Sequence, residues 1–267
     1  MKISRLTVVG VLLAVSLFVI PSAAQSILWK TYTDRAKQAS EARNYSEAEK
    51  LFKSALTEAE SLNEPELIAH SYANLGAVFS FQSKYAEAEK VFLLAIKMRE
   101  NMNEGDSDEI TYPLSNLGLI YAEQKKYQQA EAALRRALQI REKTENPDIA
   151  VALLNLGKVY ADQRKLTEAE AVYQKALEYF LNTDDPNVDG IINVVNNLAL
   201  IFEELKYHKK LEAAYKILIA VIGKNYGTND RSLVPYLDKY ALLLRSLKRN
   251  HEALQVEVRA NKIRKLK

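Results

Sequence analysis

Four asparagines recur along the chain, Asn74, Asn116, Asn155 and Asn197, at spacings of 42, 39 and 42 residues. Each opens the same short pattern: Asn74-Leu75-Gly76, Asn116-Leu117-Gly118, Asn155-Leu156-Gly157 and Asn197-Leu198-Ala199, with Asn193 and Asn196 close to the last. An amide offers one acceptor and two donors on a short stem, so it can meet a peptide C=O and N–H together. An amide repeated in this way could read the backbone of a bound segment, or could belong to the repeat's own hydrogen bonding. Little else in the chain has the spacing for chemistry. His70, His208 and His251 lie far apart, and no zinc-protease, nucleophile-elbow or phosphate-loop pattern occurs. Glu203-Glu204 and Asp184-Asp185 are sequence neighbours, which on a helix do not face one site. There is no cysteine, hence no thiolate nucleophile, thiolate metal site or disulfide. The expectation is a non-enzyme with no catalytic residue, cofactor or metal.

The asparagines must be carried by something periodic. Thr111 to Glu145 shows it most clearly. Leu114, Leu117, Gly118 and Tyr121 share one helical face, and after the turn Gln124-Lys125-Lys126 so do Ala130, Leu134 and Ala137. The same helix pair recurs from starts near residues 29, 69, 111, 150, 192 and 234, at spacings of 40, 42, 39, 42 and 42. Position 8 of each repeat is small: Ala36, Gly76, Gly118, Gly157, Ala199 and Ala241. Position 24 is mostly large: Phe52, Phe92, Leu134, Tyr173, Tyr215, then Glu257. Small facing large implies close helix approach, where a bigger side chain would overpack. Gly105, Gly190, Gly223 and Gly227 are expected outside the helices, at chain reversals. Pro113 and Pro235 are expected in first turns, where a missing N–H costs little. The fold expected is all-α, an array of about six stacked helix-turn-helix units over residues 25–267.

The front of the chain differs. Lys2 and Arg5 precede an apolar run from Leu6 to Ile20, and Pro21-Ser22-Ala23-Ala24 places small residues before Gln25. Residues 1–24 read as a signal peptide cleaved near Ala24, giving an exported protein, periplasmic or extracellular. The run of 15 residues is short of the ~20 that span a bilayer, so membrane attachment is expected only if the segment is retained. Without Lys2 and Arg5 the chain has 35 basic and 34 acidic residues, no electrostatic case for nucleic acid.

The constellation Leu75-Gly76, Phe79, Ala88, Phe92, Ala95, with Leu117-Gly118-Tyr121 and Leu156-Gly157-Tyr160, resembles the tetratricopeptide repeat. The ~42-residue period and the Asn-Leu-Gly triplets resemble its kinesin-light-chain type. The likeness covers residues 29–267, strongest in repeats two to four. It implies a right-handed α-solenoid, a binding scaffold whose opening helices line a concave groove for a protein or peptide. It places the groove at repeat positions 2, 5, 6, 9 and 12. The residues implied are Asn74, Asn116, Asn155 and Asn197 with Asn193 and Asn196. Between them lie His70, Tyr112, Leu119, Lys158, Leu200, Glu203 and Leu242. That mixture suits a partly apolar segment, and Lys158 alone does not make the family's carboxylate clamp. The likeness weakens at the ends (Arg35, Leu211, Leu218, Glu257), and repeats one and six are expected to be polar caps. Self-association through exposed ends, giving a homo-oligomer, is the other reading.

Overall fold

A computed structural model describes residues 22–182 and 187–266. The expected signal segment lies outside them except for its last three residues, which open the first helix. Among the described residues there are twelve α-helices and no strand. They are α1 (Ser22–Glu41), α2 (Tyr45–Leu62), α3 (Pro65–Phe81), α4 (Tyr85–Asn101), α5 (Thr111–Glu123) and α6 (Tyr127–Lys143), then α7 (Ile149–Asp162), α8 (Leu166–Leu181), α9 (Val188–Glu204), α10 (His208–Asn225), α11 (Val234–Ser246) and α12 (Asn250–Arg264). None of them is long and apolar enough to cross a membrane. The chain forms two compact bodies, one ending at Ser71 and one running on from Tyr72.

Every helix pair closes through the same backbone device. The residue two before each closing helix has left-handed φ: Arg43, Ser83, Lys125, Arg164, Lys206 and Lys248, at 57 to 63°. The next N–H then reaches back to the carbonyl five residues earlier, as in Lys126 N to Tyr121 O at 2.8 Å and Arg249 N to Leu244 O at 2.9 Å. These bonds satisfy carbonyls that a helix end would otherwise orphan. None of the six residues is glycine, so the turn is held by the packing of the two helices on either side.

In the first body α1 and α2 pair, burying Ala36, Ala48, Phe52, Ala55 and Ala59, and Trp29 Nε1 donates to Ser71 Oγ at 2.9 Å. In the second body each helix packs on its sequence neighbours from α4 to α12, and α5, α7 and α9 also touch in series. The small–large register holds at atomic scale. A Cβ at Gly76 would sit 2.6 Å from the Phe92 ring, at Gly118 2.6 Å from Leu134 Cγ, and at Gly157 2.5 Å from the Tyr173 ring. Helix propensity alone would disfavour glycine at these mid-helix positions; the closeness of the closing helix overrides it.

Three expectations need correcting. Gly190 and Gly223 are not at reversals; they lie within α9 and α10. Gly190 is there because a Cβ would meet Phe180 at 2.6 Å. The last repeat is not a wholly polar cap either, since Leu242, Leu254 and Val258 are 66%, 55% and 59% exposed. The sixth repeat does carry Asn261 where Leu138, Leu177 and Ile219 stand in others, so it is polar in one position and apolar in the next.

Arg141 on α6 is only 7% exposed, and its Nε and Nη1 have no hydrogen-bond partner. Burial pushes its guanidinium pKa down, against the pull of Asp148 and Asp108. Phe180 and Ile222 fill the same position in later repeats. Unsatisfied buried donors cost about 1–3 kcal/mol, and apolar replacement of buried charge is often neutral or stabilising. Arg141→Ile is therefore expected to leave urea-unfolding stability unchanged or raise it by about 1 kcal/mol; a clear loss would show that the guanidinium is paired in solution.

Candidate functional site

The opening helices α5, α7 and α9 lie side by side in the second body. They bring together Tyr112, Asn116 and Leu119, then Asn155 and Lys158, then Asn193, Asn196, Asn197 and Leu200. Asn74 belongs to the same body, on α3, whereas His70 falls on the part of α3 that belongs to the first body.

The asparagines differ in what they do. Asn116 Nδ2 donates to the Tyr112 carbonyl one turn back, at 2.9 Å. Asn197 Nδ2 donates to both the carbonyl and the Oδ1 of Asn193, each at 3.1 Å. Asn196 bridges repeats instead, donating to Tyr236 Oη at 3.1 Å. The i−4 bonds fix the amide's orientation and use one donor, so an Oδ1 and a second N–H of Asn116 are still available to a ligand. Asn155 is half-buried, as are Asn116 and Asn197.

Between the amides the surface is apolar. Tyr112, Val151, Leu200 and Leu242 are all exposed, Leu200 by 57%. Tyr112 meets Phe92 edge to face, with centroids 6.5 Å apart. Val151 shares repeat position 2 with Tyr112 and was legible by that register, although side-chain type alone did not mark it. Two ion pairs lie near this face, Lys158 to Glu123 at 3.4 Å and Arg164 to Glu204 at 2.5 Å, while Glu203 and Lys239 are exposed. A hollow of about 250 Å³ lies where α9, α10 and α11 meet, lined by Glu203, His208, Leu211, Tyr215, Lys239, Leu242, Leu243 and Ser246. Among the described residues no group of three His, Cys, Asp or Glu could hold a metal.

What keeps the opening helices in place is a set of residues that single-position reading passed over. Repeat position 21 is Glu49, Glu89, Glu131, Glu170 and Glu212, then Leu254. Glu89 accepts from Tyr121 Oη at 3.1 Å and pairs with Lys126 at 3.6 Å, both of the next repeat. Glu131 accepts from Tyr160 Oη at 2.9 Å and pairs with Lys165 at 3.5 Å. Glu170 pairs with Lys210 at 2.6 Å, and Glu212 with Arg249 at 2.6 Å while accepting from Tyr240 Oη at 3.1 Å. Burial pushes the Glu131 carboxyl up, but bonds from Arg135 and Tyr160 outweigh it and the net shift is downward. Glu89, Glu131, Glu170 and Glu212 each tie a closing helix to the following repeat. The signal was a glutamate in register with a tyrosine or a base 28 to 40 residues later in most repeats.

The tetratricopeptide repeat family matches over residues 30–101 and 109–182, together more than half of the chain. BtubC from P. vanneervenii superposes with a TM-score of 0.68 at 19% identity, covering 77% of this chain and 91% of that one. The Pseudomonas aeruginosa pilF structure gives 0.64 at 18%, covering 90% and 93%. The Podosopora anserina kinesin light chain TPR-like repeats give 0.64 at 14%, covering 76% and 97%. No curated protein sequence matches the chain.

Proposed function

Because the chain belongs to the tetratricopeptide repeat family, an α-solenoid family of protein-interaction scaffolds that are typically non-enzymatic, we propose that it is exported and holds a partly apolar protein segment on the face of its opening helices. Its work is then to support an extracytoplasmic assembly, without catalysis. The observation that carries the binding surface is the row Asn116, Asn155 and Asn197 set among exposed Tyr112, Val151, Leu200 and Leu242. Apolar side chains supply contact area, and the amides supply backbone hydrogen bonds that do not depend on the partner's side chains. Lys158 is paired with Glu123, and Glu203 and Lys239 are of opposite sign, so the face has little net charge to attract a highly charged ligand. Export rests on the sequence of residues 1–24 alone.

The test is affinity capture from the native host's extracytoplasmic fraction, with the Asn116→Ala/Asn155→Ala double variant run beside wild type. Each lost amide pair is expected to weaken binding by about 1–3 kcal/mol with helicity unchanged by circular dichroism. A partner held equally by both baits would move the site off this face. Self-association is the second reading, favoured by the exposed Leu254 and Val258 on the last helix. A mass that rises with concentration in sedimentation, and falls back to monomer in Leu254→Glu, would establish it.

A further inference from the structure

A hollow in the second body lies away from the asparagines, between the closing helices α10 and α12 with α11 beneath. It has a volume of about 540 Å³ and is walled by Ile219, Ala220, Gly223, Leu237 and Val256, with Tyr240 at one end. None of its lining residues stands at repeat position 2, 5, 6, 9 or 12 of the face discussed above.

The hollow exists because this repeat lacks side chains that its predecessors have. Position 29 is Thr57, Lys97, Gln139 and Glu178 in repeats one to four, but Ala220 here. Position 32 is Glu60, Glu100, Glu142 and Leu181, but Gly223 here. Where α4 faces α6, Glu100 bridges to Arg136 at 2.8 Å across the equivalent gap. Arg259 is the residue equivalent to Arg136, and its expected partner is Gly223. Both arginines donate Nη2 to the carbonyl of the loop that follows, Arg136 to Gly105 and Arg259 to Thr228, each at 3.1 Å; Arg259 differs in having no ion-pair partner among the described residues. Lys224 stands at the same end of the hollow and has no ion-pair partner among the described residues. Lys216, at the other end, is neutralised by Glu212 at 2.8 Å. No carboxylate lines the hollow.

We propose that this trough between α10 and α12 binds a medium-chain aliphatic carboxylate, its head between Lys224 and Arg259 and its tail along Ile219, Ala220, Leu237 and Val256. The head supplies the negative charge that Gly223 withholds from Arg259. From Lys224 back to Lys216 the trough follows α10 for about 12 Å, a length that a tail of roughly ten carbons fills. The volume is in the range of small-molecule sites, and an apolar lining with few convergent polar groups is their usual composition. A cationic head would be repelled at Lys224 and Arg259, and a short carboxylate would leave the apolar floor wet.

The probes are decanoate, decyltrimethylammonium and acetate, titrated calorimetrically into the full chain. One saturable decanoate site is expected, with no saturation by the other two. Gly223→Glu is the decisive variant, because it restores the carboxylate of the earlier repeats. A Cβ there meets nothing nearer than Thr228 Cα at 3.9 Å, so the variant is expected to fold with an unchanged or raised Tm. Decanoate affinity is expected to fall at least tenfold. Lys224→Ala is a second variant that leaves the packing alone and is expected to weaken decanoate several-fold. The Asn116→Ala/Asn155→Ala variant should bind decanoate as wild type does, which separates this site from the other face. Absence of a saturable decanoate site, equal binding of the cationic amphiphile, or undiminished affinity in Gly223→Glu and Lys224→Ala would each overturn the proposal.

Discussion

Gly118→Leu is expected to destabilise the chain by about 1–3 kcal/mol, through overpacking of the contact between α5 and α6. Two effects oppose each other. Leucine is the better helix former by up to about 1 kcal/mol. Against that, even the first added carbon would lie 2.6 Å from Leu134 Cγ, 3.0 Å from Leu134 Cδ2 and 3.2 Å from the Ala130 carbonyl. The carbonyl is backbone and cannot swing aside, and Leu134 is fully buried, so it has no free volume to enter. Sterics therefore win, and the helices must separate or shift along one another. A fall in Tm of roughly 2–4 °C per kcal/mol should accompany the change. Adding Leu134→Ala to the leucine variant should recover part of the loss, since the new side chain then occupies the vacated volume. Thermal unfolding indistinguishable from wild type would mean that position 8 does not face position 24, and the repeat register would be wrong.

Glu212→Gln is expected to cost about 1–2 kcal/mol near neutral pH, and the cost should vanish in acid. Glu212 is the best-bonded of the position-21 glutamates. Its side chain is 15% exposed and takes Arg249 at 2.6 Å, Lys216 at 2.8 Å and Tyr240 Oη at 3.1 Å. The hydrogen bonds from Arg249 and Lys216 hold its carboxyl at about 2, below its ordinary 4.5, and outweigh the rise from burial. Bonds to charged groups are the stronger class, but Lys216 is largely solvated, which screens its share. The sign follows from linkage. The folded carboxyl is the stronger acid, so the unfolded chain binds more protons as pH falls. The stabilisation is complete above about 4.5 and is lost as pH drops towards 2. Urea unfolding of wild type and variant at pH 7, 4 and 2.5 should give a difference that shrinks stepwise. A difference independent of pH would show that Glu212 acts by shape alone, and no difference at pH 7 that the clamp contributes nothing.

Both readings of the asparagine row are legible in the sequence, and the geometry accommodates each. Asn116 and Asn197 do bond within their own helices, yet such bonds leave part of each amide uncommitted and aimed by the helix. Asn196, which the sequence grouped with its neighbours, turns out to tie α9 to Tyr236 across repeats. Lys158, the base that stands almost alone among the opening helices of repeats two to five, is balanced by Glu123. For Asn196 and Lys158 the difference is a partner on a neighbouring repeat, 40 and 35 residues away, that no local pattern names.

What the sequence determined by itself is the set of helix pairs, their register and the face that carries the amides. Those features are local: a helix face repeats every 3.6 residues, and a small residue opposite a large one encodes the contact within each pair. Gly76, Gly118 and Gly157 are positioned by that code, and the structure places them against Phe92, Leu134 and Tyr173 as the code requires. Only the tertiary structure decided which charges are spent between repeats and where packing is left incomplete. Glu89, Glu131, Glu170 and Glu212 look like ordinary solvated helix residues until the next repeat's tyrosine or base arrives beside them. Gly223 looks like a turn residue until it is found inside α10, at the repeat position from which Glu100 of α4 bridges to Arg136. Both depend on the distance between helices remote in sequence, and that distance is set by the summed packing of the whole second body.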